Sequence, residues 1–334
     1  MTKSFFSSFD PEYRQKQMRE KARLRTDASY IGALSITLTF VMQYAFSFIV
    51  RIMIACGALS ADSVKLPSLG MDNTSFLLLY SFVYTVSLLL PALLVSFCYK
   101  KRFCPFAPAR PVSFGFVFWA ILSAVGMCML TNIINSYISD FFREVGASVP
   151  DAPQLMVKTP LSFALNLFTV AVLPALIEEM VYRGYILRTL RAYGDGFAVV
   201  ISALLFGLMH GNLRQIPFAF IVGLFLGFLY VLTNNIWVPI AVHFINNGIS
   251  VAMEYFSFWL PEQSVGLLYA LVIYGLITVG LLATLVLLIG YRRKLRLSQH
   301  HSSLGVVART GALFTTPLFV TAVLLYFIFL FMGM

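Results

Sequence analysis

Nine long apolar runs restrict what this chain can fold into more than any other feature of its sequence. Most are close to or above the roughly 20 residues that an α-helix needs to cross a membrane. The runs occupy residues 29–56, 76–99, 113–138, 160–187, 197–213, 216–233, 236–257, 265–290 and 312–332. Backbone groups inside a bilayer must find their hydrogen bonds within the chain, which favours helices. The sequence therefore predicts an all-α, polytopic transmembrane bundle with about eight or nine spanning helices.

The composition agrees with a membrane domain and excludes a soluble one. Apolar residues make up 59% of the 334 residues and charged residues only 11%, against about 45–50% and 25% in soluble domains. We expect a basic cytoplasmic segment at residues 1–28, followed by a single membrane domain over residues 29–334. Within the basic segment, residues 12–25 are predicted to be helical. They either lie on anionic lipid or form a solvated tail that sets the topology.

The positive charge of the chain predicts its orientation. The formal net charge is +10; because the Lys and Arg residues stand beside apolar runs, they indicate topology and give no reason to expect nucleic acid as a partner. With the N-terminus in the cytoplasm and alternating spans, nineteen of the 24 Lys and Arg residues fall on the cytoplasmic side. The positive-inside rule thus predicts a cytoplasmic N-terminus and a C-terminus on the outside.

Four ionisable side chains lie deep within apolar runs, where such residues are rare unless they have a function. They are Glu178, Glu179, His210 and His243. Glu179 and Arg183 are four residues apart and share a helix face, so they can form an ion pair. Glu178 points about 100° away from that face and stays available for another task. A plain alternative is that the Glu179–Arg183 pair only fastens one helix to another.

The two histidines have neighbours at helical spacing. Phe206 lies one turn before His210 and can form a wall beside its imidazole, although the sequence favours a simple core role for it. His243 and Asn247 share a helix face and can point at one position. Asn247 alone carries little weight, because asparagine often hydrogen-bonds between membrane helices, and Asn246 is a similar candidate.

In this order, the three patterns resemble those of the CPBP family of intramembrane proteases. The matching residues are Glu178-Glu179…Arg183 (EExxxR), Phe206…His210 (FxxxH) and His243…Asn247 (HxxxN). The family is related to the type II CAAX prenyl endopeptidases and to bacteriocin-processing and immunity proteins. The resemblance covers about residues 160–257, and it implies a protease core there, within a multi-pass protein of a bacterial cell membrane.

The resemblance implies peptide hydrolysis, and the residue types suit that chemistry. Glu178 would act as the general base, and His210 would help to orient and deprotonate the attacking water. His243 and Asn247 would donate hydrogen bonds to the oxyanion. Glu179, Arg183 and Phe206 would support these groups. The expected partners are a peptide or lipidated-protein substrate and membrane lipids, with the site in the cytoplasmic half of the membrane.

A zinc site is the alternative mechanism. Glu178, His210 and His243 are three side chains of the types that bind Zn²⁺ in catalytic sites with one open position. The chain lacks the HExxH pattern of the common zinc proteases, and we favour a glutamate-activated water without a cofactor. Two other classes remain open: a non-enzymatic immunity or scaffold protein, and a proton-coupled transporter, which would string polar residues across both halves of the membrane.

Overall fold

The structure, a computed structural model, describes residues 10–65, 67–100, 112–146, 159–297 and 302–332. Ten helices make up this described part of the chain. They are α1 (Pro11–Ala55), α2 (Asn73–Cys98), α3 (Phe114–Glu144), α4 (Pro160–Tyr193), α5 (Asp195–Met209), α6 (Gln215–Thr233), α7 (Trp237–Trp259), α8 (Glu262–Gly290), α9 (Val306–Phe314) and α10 (Pro317–Met332). Short 3₁₀ turns occupy Ala61–Lys65, Pro67–Gly70 and Arg292–Leu295.

The predicted all-α membrane bundle is confirmed. Each predicted apolar run coincides with a helix, and the last run is divided between α9 and α10, which meet at an angle of 74°. By length and composition, six described helices can cross a membrane, or seven if the bent pair counts as one span. This number is slightly below the predicted eight or nine. α5 has only 15 residues, and the polar residues of α7 lower its hydropathy.

The described part of the basic N-terminal segment, from Pro11 onward, belongs to α1. Asp10 caps the helix by accepting a hydrogen bond from the backbone N–H of Glu12, and Pro11 occupies the first turn, where its missing N–H costs nothing. With 45 residues, α1 is about 68 Å long at 1.5 Å per residue, so it extends well beyond a bilayer. This extension binds the segment before α9: the Gln17 side chain donates to the carbonyl of Ser303 at 2.8 Å. The predicted helix over residues 12–25 is therefore packed against the bundle.

The helix α4 is irregular on both sides of the two glutamates. π-helical turns at Leu167–Val172 and Tyr182–Leu187 flank the α-helical stretch Leu173–Val181. Pro174 is the second residue of this stretch, and proline inside a helix removes one backbone hydrogen bond. π-helical turns add one residue to a turn and are common at functional sites.

Two groups of buried side chains hold the bundle together. The larger group combines residues of α1, α2, α4, α5 and α10, among them Tyr30, Leu88, Tyr182 and Phe319. The second group joins α3, α6, α7 and α8 around Phe116 and Leu226. The irregular helix α4 lies in the larger group, with α7 packed against it, and this placement brings its glutamates into the interior of the bundle.

Candidate active site

Three charged side chains of α4 are buried in the bundle. Glu179 and Arg183 are completely inaccessible and Glu178 is 6% exposed. The predicted ion pair forms, with the Arg183 guanidinium donating to Glu179 Oε1 at 2.9 Å. Arg183 also donates to the backbone carbonyl of Gly223 on α6 at 3.1 Å, and its guanidinium lies 4.3 Å from the centroid of the Phe206 ring.

Glu179 has a second partner that its sequence position did not indicate. The same oxygen, Oε1, lies 2.9 Å from Nδ1 of His243 on α7. Because an ionised carboxylate only accepts hydrogen bonds, Nδ1 of His243 carries a proton in this contact. Glu179 therefore fixes the orientation of the His243 ring and connects it to Arg183.

Glu178 points toward the other nitrogen of the same ring. Its Oε2 lies 3.9 Å from Nε2 of His243, and this oxygen has no hydrogen-bond partner among the residues that the structure describes. Its Oε1 accepts a short hydrogen bond from the hydroxyl of Tyr84 on α2. The distance of 3.9 Å exceeds a direct hydrogen bond.

Phe206 contacts two imidazoles, one at the C-terminal end of α5 and one on α7. The centroid of its buried ring lies 5.1 Å from that of His210 and 6.1 Å from that of His243, with both contacts edge to face. The predicted wall beside His210 is thus present. Nδ1 of His210 lies 2.9 Å from the backbone carbonyl of Phe206, so this nitrogen carries the proton and Nε2 is left as a hydrogen-bond acceptor.

Asn247 is held by α4. Its amide nitrogen donates to the carbonyl of Val170 at 2.9 Å. Pro174, four residues further along, has no N–H, so the Val170 carbonyl lacks its usual α-helical donor and Asn247 replaces it. The Asn247 Oδ1 accepts from the amide nitrogen of Asn246 at 3.0 Å. The two asparagines therefore form a pair, and a change in one affects the other.

Two functional contacts were missed by sequence reasoning. Tyr84 gave only a weak signal, as one of several tyrosines in an apolar helix, and its partner lies 94 residues away. The His243–Glu179 contact spans 64 residues, and the sequence assigned Glu179 only to Arg183. Both contacts join different helices, so helical spacing within one segment cannot reveal them.

The side chains proposed as zinc ligands do not converge as a group of three. Among the residues that the structure describes, no three His, Cys, Asp or Glu side chains are arranged to hold a metal ion. Glu178 and His243 face each other, and the Phe206 ring contacts both imidazoles. We therefore derive no step through a metal.

A known protein family matches the segment that carries these side chains. Residues 160–249 match the family of type II CAAX prenyl endopeptidase Rce1-like proteins. The resemblance to the CPBP family that the three motifs predicted is confirmed for this segment, which contains all seven predicted site residues.

Two curated bacterial proteins are similar to part of the chain. YdiL of Bacillus subtilis (strain 168), described as a proposed membrane peptidase, is 26% identical over 142 residues, covering 39% of this chain and 58% of that protein. The membrane-embedded CAAX protease MroQ of Staphylococcus aureus (strain USA300) is 24% identical over 143 residues, covering 41% and 57%. The chain thus spans less than three fifths of the length of these relatives. No solved structure matches.

Proposed function

We propose that the protein is an intramembrane endopeptidase that hydrolyses peptide bonds of membrane-associated or lipidated peptides. The observation that carries this proposal is the placement of Glu178. Its carboxylate is buried, one oxygen is bound by Tyr84, and the other faces Nε2 of His243 and has no hydrogen-bond partner among the described residues. A carboxylate so placed is suited to take a proton from a water molecule.

In the proposed reaction, Glu178 removes a proton from water while Nε2 of His210 accepts a hydrogen bond and orients the molecule. The resulting hydroxide adds to the carbonyl carbon of the peptide bond, and the carbonyl oxygen becomes an oxyanion. Collapse of the tetrahedral intermediate breaks the C–N bond. The proton held by Glu178 then passes to the leaving amine nitrogen, which restores the carboxylate.

His243 and Asn247 are the proposed donors to the oxyanion. Glu179 already accepts from Nδ1 of His243, so this role requires a second proton on Nε2. Asn247 uses one amide hydrogen for the Val170 carbonyl, and the other remains available for the substrate. Arg183 and Phe206 hold Glu179 and the two imidazoles in place.

The orientation and setting of the site are part of the proposal. The distribution of Lys and Arg favours a site that opens in the cytoplasmic half of a bacterial cell membrane. The names of the relatives support peptide hydrolysis in a membrane, and they support a peptide or lipidated protein as the substrate class.

The test is cleavage of a fluorogenic reporter peptide by the full chain reconstituted in liposomes. Glu178→Gln preserves the shape of the side chain and removes the base, so we expect cleavage to be abolished. The matched control is Glu254→Gln, which changes an exposed carboxylate on α7 and should leave turnover near that of the wild type. Similar turnover in all three proteins would contradict the proposal, because it would show that Glu178 is not the catalytic base.

A further inference from the structure

An apolar cavity of about 400 Å³ lies between α3, α6 and α8, apart from the candidate active site. Its volume is in the range of sites that hold small molecules. The walls are aliphatic and aromatic, including Phe116, Ala120, Phe225, Leu229 and Leu287. None of the seven candidate site residues lines it.

The polar atoms in the wall are already satisfied. The hydroxyls of Ser123 and Thr284 hydrogen-bond to each other at 2.7 Å, and the Thr284 hydroxyl also donates to the carbonyl of Gly280 at 2.8 Å. A hydrocarbon chain in this cavity would therefore leave neither hydroxyl without a partner, whereas a polar ligand would find few free groups.

A cluster of positive charges adjoins the cavity at the end of α8. Arg292, Arg293, Lys294 and Arg296 are all exposed, and Leu295, which lies between them in the chain, lines the cavity. The Lys294 ammonium lies 5.6 Å from the centroid of the Phe116 ring, which forms part of the cavity wall.

Close packing of Tyr291 against α3 fixes the position of the basic residues next to the cavity. The ring of Tyr291 lies 5.6 Å from that of Phe116, and its hydroxyl passes so near to Gly115 that a Cβ there would lie only 2.7 Å away. The basic turn is thereby held against α3 at the edge of the cavity.

We propose that this cavity binds an anionic phospholipid of the bilayer. One acyl chain would fill the space between α3, α6 and α8, and the phosphate would rest on the basic turn Arg292–Arg296. Basic clusters beside transmembrane helices attract anionic headgroups, because each Lys or Arg contributes favourable energy near the membrane surface. A zwitterionic lipid offers the same chain without the net charge, so charge complementarity selects the anionic one.

The first test measures headgroup selectivity. The full chain is purified with equimolar phosphatidylglycerol and phosphatidylcholine, and retained lipid is counted by native mass spectrometry. We expect phosphatidylglycerol to be preferred, and we expect the triple variant Arg292→Gln, Arg293→Gln, Lys294→Gln to lose that preference by about tenfold or more. These side chains are exposed, so the variant should fold normally.

The control removes three exposed charges from α1, in the variant Lys16→Gln, Arg19→Gln, Lys21→Gln, and should keep the preference. Equal loss in both triple variants would overturn the proposal, since it would reduce the effect to net charge. Equal retention of the two lipids by the wild type would also overturn it.

The second test concerns the acyl chain. Ala120→Phe fills part of the cavity, so the bound phosphatidylglycerol should fall severalfold while the melting temperature of the lipid-free protein stays within a few degrees of the wild type. Undiminished binding in a folded Ala120→Phe variant would show that the lipid lies elsewhere. Displacement of phosphatidylglycerol by a farnesylated peptide would assign the cavity to the substrate and also contradict the proposal.

Discussion

Glu178 and Glu179 are adjacent in the chain, yet different helices hold their carboxylates. Glu179 is bound by Arg183 of its own helix and by His243 of α7. Glu178 is bound by Tyr84 of α2, and its other oxygen has no hydrogen-bond partner in the described part of the chain. The division follows from the 100° step between neighbouring residues of a helix, which turns the two side chains toward different partners.

Tyr84→Phe tests the contact that positions Glu178. The hydroxyl donates to a carboxylate, and hydrogen bonds to charged groups contribute about 1.5–3 kcal/mol. We expect kcat for reporter cleavage to fall about ten- to hundredfold with little change in KM. Tyr80→Phe is the control, since Tyr80 stacks on Tyr84 one turn earlier. A similar loss in both variants would show that the effect is general packing.

Glu179→Gln tests the support of the buried cation. Arg183 is completely buried, and breaking a buried pair by neutralising one partner costs about 3–5 kcal/mol. We expect a clear fall in the melting temperature of the purified protein, together with a fall in cleavage, because the neutral Gln carbonyl is a weaker acceptor for His243 Nδ1 than the carboxylate. Glu178→Gln should melt near the wild-type temperature. A Glu179→Gln variant as stable as the wild type would refute this role.

At this scale the sequence indicates contacts within a helix and misses those between helices. The Glu179–Arg183 pair and the wall formed by Phe206 follow from spacing of three or four residues. The contacts of Tyr84 and of His243 with α4 depend on how whole helices pack. Asn247 shows a third case: its face was predicted, but its bond to Val170 arises from the missing N–H of Pro174.

The elements around the site approach each other closely because small residues line their contacts. Gly223 of α6 accepts a hydrogen bond from Arg183. A Cβ at this position would lie 3.2 Å from Ala203 and from the ring of Phe206. The close contact of α5 and α6 therefore supports both the arginine and the Phe206 ring that contacts the two histidines.

Gly223→Val should push α5 and α6 apart. Inserting side-chain atoms into a filled contact costs about 1–3 kcal/mol, so we expect a lower melting temperature and a fall in cleavage as Phe206 shifts. Gly248→Ala on α7 is the control, because its Cβ would meet only one side chain at an ordinary distance of 3.5 Å. Unchanged stability and activity in Gly223→Val would show that α5 and α6 are not closely packed at this position.

Helix positions were largely predictable at the element scale, whereas helix irregularities were not. Runs of apolar residues mark where α2, α3 and α8 lie, because a bilayer imposes both length and composition. The π-helical turns on either side of Glu178 leave no such trace, since each changes the register by one residue. The bend between α9 and α10 falls inside the single apolar run predicted at residues 312–332.

For the whole molecule, orientation decides which compartment the site faces. The charge distribution predicts that α1 ends outside and that α2 ends in the cytoplasm. Two native cysteines mark these ends: Cys56 follows α1, Cys98 ends α2, and both are exposed.

Single-cysteine proteins that keep only Cys56 or only Cys98 test this orientation. In intact cells, a membrane-impermeant maleimide should label Cys56 and leave Cys98 unlabelled until the membrane is opened. The reason is the excess of Lys and Arg on the predicted inner side. The reverse pattern would overturn the topology and place the site toward the opposite compartment.

The central claim, that Glu178 activates water without a metal, is tested most directly by measuring cleavage and zinc content in the same purified preparations. We predict that the wild type cleaves the reporter with an activity that does not follow bound zinc and that survives a chelator, while folded Glu178→Gln protein is inactive. Near-wild-type turnover by Glu178→Gln, or stoichiometric zinc that rises and falls with activity, would contradict the claim.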